Sequence, residues 1–124
     1  MSKIRDDNVL DEKTMTVQIV SLVELKKLLN ELEEELKKMS LWQGPAGRPP
    51  ESAFLSMTPF FMDTMEFHQW LEYVFIPRLN ALESQELSNL KVIVAPYAIE
   101  VYRGQWTRYA ALIRLLKKID AFFF

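Results

Sequence analysis

The stretch Val17-Gln-Ile-Val-Ser-Leu-Val-Glu-Leu-Lys-Lys-Leu-Leu-Asn-Glu-Leu-Glu-Glu-Glu-Leu-Lys-Lys-Met39 decides the fold. Leu22, Leu25, Leu29, Leu32, Leu36 and Met39 follow one another at alternating spacings of 3 and 4, which puts them all on one helical face. Val17, Val20, Val23 and Leu28 widen that stripe in its first half. The pattern predicts a helix from about Thr16 to Lys38, roughly 35 Å long at the usual rise per residue. Glu33, Glu34, Glu35, Lys37 and Lys38 fall mostly off the seam and read as its solvated face. A stripe of this kind must be covered. The spacing also permits a coiled-coil dimer, but about three heptads is the minimum for one, so a helical bundle is expected.

Two further stripes supply the cover. Phe67, Trp70, Leu71, Val74, Phe75, Leu79 and Leu82 recur at helical spacing, interrupted by Pro77, where a kink or local break is expected. Tyr109, Leu112, Leu116, Ile119 and Phe123 repeat in the same way from about Gln105, with Trp106 and Ile113 alongside. Between the first two stripes lies Gln43-Gly-Pro-Ala-Gly-Arg-Pro-Pro50, a cluster of helix breakers opening a long loop to about Thr58. Trp42 and Phe54 flank it and are expected to pin it to the core. Asp63 and Glu66 have capping-box spacing at the start of the second helix. Ser84 to Lys91 reads as a polar connector. Lys91-Val-Ile-Val-Ala95 is strand-like in composition but has no second strand to pair with. Ala95-Pro96 suits the first turn of a short helix ending before Gly104. The expected fold is therefore all-α: three long helices and one short one, with no sheet. Residues 1–14 read as a flexible polar tail and 15–124 as a single domain.

Composition narrows the chemistry. At 124 residues the chain fits one domain, long enough to build a core without staples. It has no cysteine, which excludes disulfides, thiolate metal sites and cysteine nucleophiles. One histidine and three glycines leave little for metal faces, catalytic triads or phosphate loops. No catalytic, cofactor-binding or metal residue is assigned, and no cofactor is expected. No apolar run approaches a membrane span, and no signal segment opens the chain, so a cytoplasmic protein is expected.

His68 reads as a partly exposed structural histidine, and the Asp63–Glu66 pair as a cap before an acid–base couple. Charge is uneven. The net charge of −2 hides a C-terminal stretch, 101–124, with five cations against Asp120 alone. Arg108, Arg114, Lys117 and Lys118 on the last helix can face RNA phosphates, although cations there also suit the helix dipole. Met57, Phe60, Phe61, Met62, Met65 and Trp70 crowd fourteen residues with methionine and aromatic groups. Core packing and a partner surface both remain open for them. Arg78, beyond the proline, offers a bidentate fork. Phe61, Asp63, Met65 and Arg78 are the expected recognition surface.

The block Pro59-Phe-Phe-Met-Asp-Thr-Met-Glu66, with Trp70-Leu71, Ile76-Pro-Arg78 and Ala95-Pro-Tyr97, resembles the bacterial YqcC-like family over roughly residues 17–122. Members of that family are small all-helical bundle domains without an assigned activity, often encoded beside tRNA pseudouridine synthase C. The resemblance implies a non-enzymatic interaction or accessory module, with that synthase as its partner. It offers no catalytic aspartate to carry over. A small RNA-binding helper using the basic last helix is the alternative, and the chain is expected to be a monomer or weak homodimer.

Overall fold

The computed structural model describes the backbone over residues 12–123 and the side chains over residues 19–123. Among the described residues five α-helices follow in order: α1, Glu12–Lys38; α2, Phe67–Trp70; α3, Ile76–Asn80; α4, Ala95–Val101; and α5, Ala110–Phe122. The described residues contain no strand, and no helix among them is long and apolar enough to cross a membrane. The fold is all-α.

Helix α1 starts earlier than its pattern implied, so the expected tail is already helical from Glu12; the rest of that expectation, residues 1–11, lies outside the described residues. Leu25, Leu29, Leu32 and Leu36 are buried along one side, as the spacing requires. Val20 and Val23, expected to widen the stripe, are exposed instead. The helix ends before the proline-rich loop. Ser40 takes a left-handed conformation (φ 61°). Its N–H bonds to the Lys37 carbonyl and that of Leu41 to Leu36, satisfying carbonyls the helix end would leave free.

The second predicted helix is one rod in three parts. Leu71–Phe75 forms a π turn between α2 and α3. Pro77 explains it: without an N–H it cannot bond to the carbonyl four residues back, and its ring crowds that turn. The wider turn relieves the crowding, with the Ile76 N–H reaching back to Leu71. The capping box lies three residues later than the Asp63–Glu66 spacing implied. Glu66 and Gln69 exchange side-chain-to-backbone bonds, the Gln69 amide oxygen accepting the Glu66 N–H at 2.8 Å. Asp63 is spent on Ser56 instead.

The polar connector contains a 3-10 turn, Ser84–Asn89. The strand-like run leads into α4, whose first turn holds Pro96. The last helix begins at Ala110, later than expected, because Gly104 (φ 88°) and the turns after it hold Trp106 and Arg108 outside the helix. The core forms where α1, the α2–α3 rod, α4 and α5 meet, with Leu29, Leu32, Leu71, Leu112, Leu116 and Ile119 at its centre. Ala98 on α4 is fully buried among them.

Candidate functional site

The start of the loop, at Gln43 and Gly44, is tied down by groups on the rod. Glu72 is buried, and its carboxylate accepts the N–H of Gln43 at 2.8 Å and of Gly44 at 2.7 Å. Gly44 sits at φ 69°, ψ −169°, a region that only glycine holds cheaply. The Tyr73 hydroxyl donates to the Gly44 carbonyl, and Gln69 donates to the Gln43 side chain at 3.1 Å. Further along, the Thr64 hydroxyl donates to the Ala53 carbonyl at 2.8 Å. The loop is long, but it is clamped.

The Phe-Phe pair is turned by its backbone. Phe60 and Phe61 both take left-handed conformations, φ 57° and 50°, which ordinary side chains avoid at a cost of about 1 kcal/mol or more each. Aromatic packing offsets this. The Phe60 ring stacks on Tyr97 with centroids 4.1 Å apart and meets Trp70 edge-on at 5.0 Å. Phe61 faces the other way, half-buried, with the Arg78 guanidinium 5.8 Å from its ring centre.

The structure therefore divides the four expected recognition residues. Phe61 and Arg78 come together at the surface. Asp63 is exposed, and the hydroxyl hydrogen bond from Ser56 holds its carboxyl below the ordinary value. Met65 does not belong to that surface: it is 8% exposed and packs with Ala53 and Val74 in a small second core. The apolar exposure lies beside it in sequence, with Met57 97% exposed, Leu55 77%, and Met62 also open. His68 is half-buried; desolvation lowers its pKa while the carboxylates of Glu66 and Glu72 pull the other way.

A second surface lies between α4 and α5. Asp120 on α5 accepts the N–H groups of Val94, at 2.9 Å, and of Ala95, at 2.8 Å, and so caps α4 from another helix. Burial raises its pKa against the pull of those two donors. Beside this cap run two adjoining hollows of about 310 and 430 Å³ that share Ile99 and Lys117. Arg114 and Lys117 line them; Lys118 is exposed on the same helix. Arg108 stands apart in the preceding turn, 5.5 Å from the Tyr109 ring. Ile99 and Trp106 were not legible as site residues. Their only signal was an aromatic group just outside the last apolar stripe.

The DUF446 family model, described as tRNA pseudouridine synthase C, matches residues 24–122. The chain belongs to the DUF446 family. Among its relatives, an uncharacterised protein of Haemophilus influenzae is 39% identical over 79 residues, covering 63% of this chain and 73% of its own. The uncharacterised protein YqcC of Escherichia coli is 34% identical over 96 residues, 77% of this chain and 86% of its own. A protein named tRNA pseudouridine synthase C from Pectobacterium carotovorum is 38% identical over 65 residues. That match covers 52% of this chain but 17% of the synthase. No solved structure matches the chain. The resemblance to the YqcC-like family thus holds: its four pieces, Pro59–Glu66, Trp70-Leu71, Ile76-Pro-Arg78 and Ala95-Pro-Tyr97, all fall within the matched range, and YqcC is among the relatives.

Proposed function

We propose that this DUF446 chain is a non-enzymatic accessory module that works alongside tRNA pseudouridine synthase C in the cytoplasm. The observation that carries this reading is the 65-residue segment of the Pectobacterium synthase that is 38% identical to it. A segment shared with a longer protein of that name supports a module acting beside the enzyme, within one polypeptide or as a separate partner. The exposed Leu55, Met57 and Met62, with Phe61 and Arg78, form the contact surface in this reading. Their loop is clamped before any partner arrives, which lowers the ordering cost of docking.

The test is titration calorimetry of the purified chain against the synthase of the same organism, with light scattering of each alone and mixed. Binding that is lost in a Met57→Ser/Met62→Ser double variant and weakened in Arg78→Ala is expected. Failure of the synthase to bind overturns the reading. The same scattering run decides between a monomer and a weak homodimer. A second reading, a small RNA-binding helper, is favoured by Arg114, Lys117 and Lys118 sharing the outer face of α5. Retention of tRNA that falls steeply with salt and with Lys117→Glu would support it.

A further inference from the structure

We infer that the groove between α4 and α5 docks a short acidic, apolar segment of a protein partner. The two hollows adjoin, with Ile99 and Lys117 lining both, and together make up the channel that serves as the docking site. Its floor is aliphatic and aromatic. Ile93 at one end is 62% exposed and Trp106 at the other is 51% exposed, so both present apolar surface to a partner. Trp106 is held in place. Its indole N–H donates to the Ile99 carbonyl at 2.9 Å, so the ring is presented as a rigid wall. Preorganised aromatic surface of this kind anchors interfaces at little entropic cost.

Charge decides what kind of segment fits. Arg114 and Lys117 border the channel, and neither has an ion-pair partner among the described residues. One acid, Asp120, lines the first hollow, with its carboxylate turned to the backbone N–H groups of Val94 and Ala95, and Glu100 is paired with Arg103, so the cations Lys91, Arg114 and Lys117 outnumber the acids along the lining. The channel therefore shows a positive rim on a chain that is acidic elsewhere, which selects an acidic partner and repels a basic one. The apolar floor selects further. A nucleic-acid backbone would pair with the cations and leave the aliphatic floor uncovered. A peptide carrying leucine or phenylalanine between carboxylates covers both. This inference does not rest on the synthase reading, because the channel shares no residue with the Phe61–Arg78 surface.

The experiment uses a short fluorescein-labelled peptide alternating glutamate with leucine and phenylalanine. Its controls are the same peptide with lysine at every glutamate and a single-stranded uridine-rich RNA. Anisotropy reads binding, and NMR reads where it occurs. The acidic peptide is expected to bind, to shift the Trp106 indole and Ile99 amide signals, and to weaken as salt is raised. Arg114→Glu and Lys117→Glu, both at exposed positions whose melts check the fold, should each weaken it about tenfold. Absence of binding, equal binding of the lysine peptide, or shifts confined to other surfaces would overturn the inference. So would RNA binding that the acidic peptide cannot displace, which would give this face to nucleic acid.

Discussion

The carboxylate of Glu72 accepts the N–H of Gly44 at 2.7 Å across a separation of 28 residues, and it does so from a buried position. One acid in an apolar run thereby joins the end of α1 to the α2–α3 rod. Glu72→Ala would strand the N–H groups of Gln43 and Gly44, which are only part-buried, and is expected to destabilise the protein by about 1–3 kcal/mol, the cost of roughly one fully buried donor left unsatisfied. Glu72→Gln should lose less. Denaturant melts measure both, and amide exchange at Gln43 and Gly44 should quicken in step.

Core substitutions should follow the buried faces. Leu29 and Leu116 are enclosed on α1 and α5, so either one changed to alanine should cost about 2–5 kcal/mol. A loss below half of one kcal/mol in the same melts would contradict this packing.

Met65 and Met57 should separate sharply although they stand only eight positions apart. Met65 is packed against Ala53 and Val74, so Met65→Ser is expected to cost about 2–5 kcal/mol. Met57→Ser, on a nearly fully exposed side chain, should leave the melt unchanged within about 0.5 kcal/mol. Thermal and denaturant melts of the pair check this directly. Only the second variant can report on binding without disturbing the fold.

Acidification should weaken the fold through His68. Its folded pKa lies below the ordinary 6.5 because desolvation disfavours the imidazolium. As pH falls through 6.5 the unfolded chain takes up the proton first, so stability drops until pH passes the folded pKa and then levels off. His68→Gln should remove this slope from melts taken across the window. As the chain has a single histidine, NMR titration of its imidazole gives the folded value without overlap.

The elements that the residues announced are those built from local repetition. Leu25, Leu29, Leu32 and Leu36 are buried where their spacing put them, and Leu112, Leu116 and Ile119 likewise. Pro77 announced a disturbance in the rod, though not that a π turn would absorb it. Asp63 does not cap the helix because the helix begins only at Phe67, which places Glu66 at the cap and leaves Asp63 to accept from Ser56. The left-handed backbone at Phe60 and Phe61, just before this start, is a choice that no side-chain pattern signals.

What the sequence determined by itself was the all-helical fold, the identity of the main buried faces and the chemistry that a chain without cysteine cannot perform. Helical periodicity is a property of neighbours three and four apart, so it survives in the order of residues alone. Tertiary structure decided the rest. Whether Met65 is core or surface depends on Ala53 and Val74 closing over it from distant positions. That Glu72 and Asp120 act as clamps depends on which backbone N–H groups other elements bring to them. The α4–α5 channel exists only because Ile99 and Trp106, joined by one hydrogen bond, stand beside Lys117 on another helix. Such sites are made by the distance and angle between elements, which long-range packing sets and local spacing does not record.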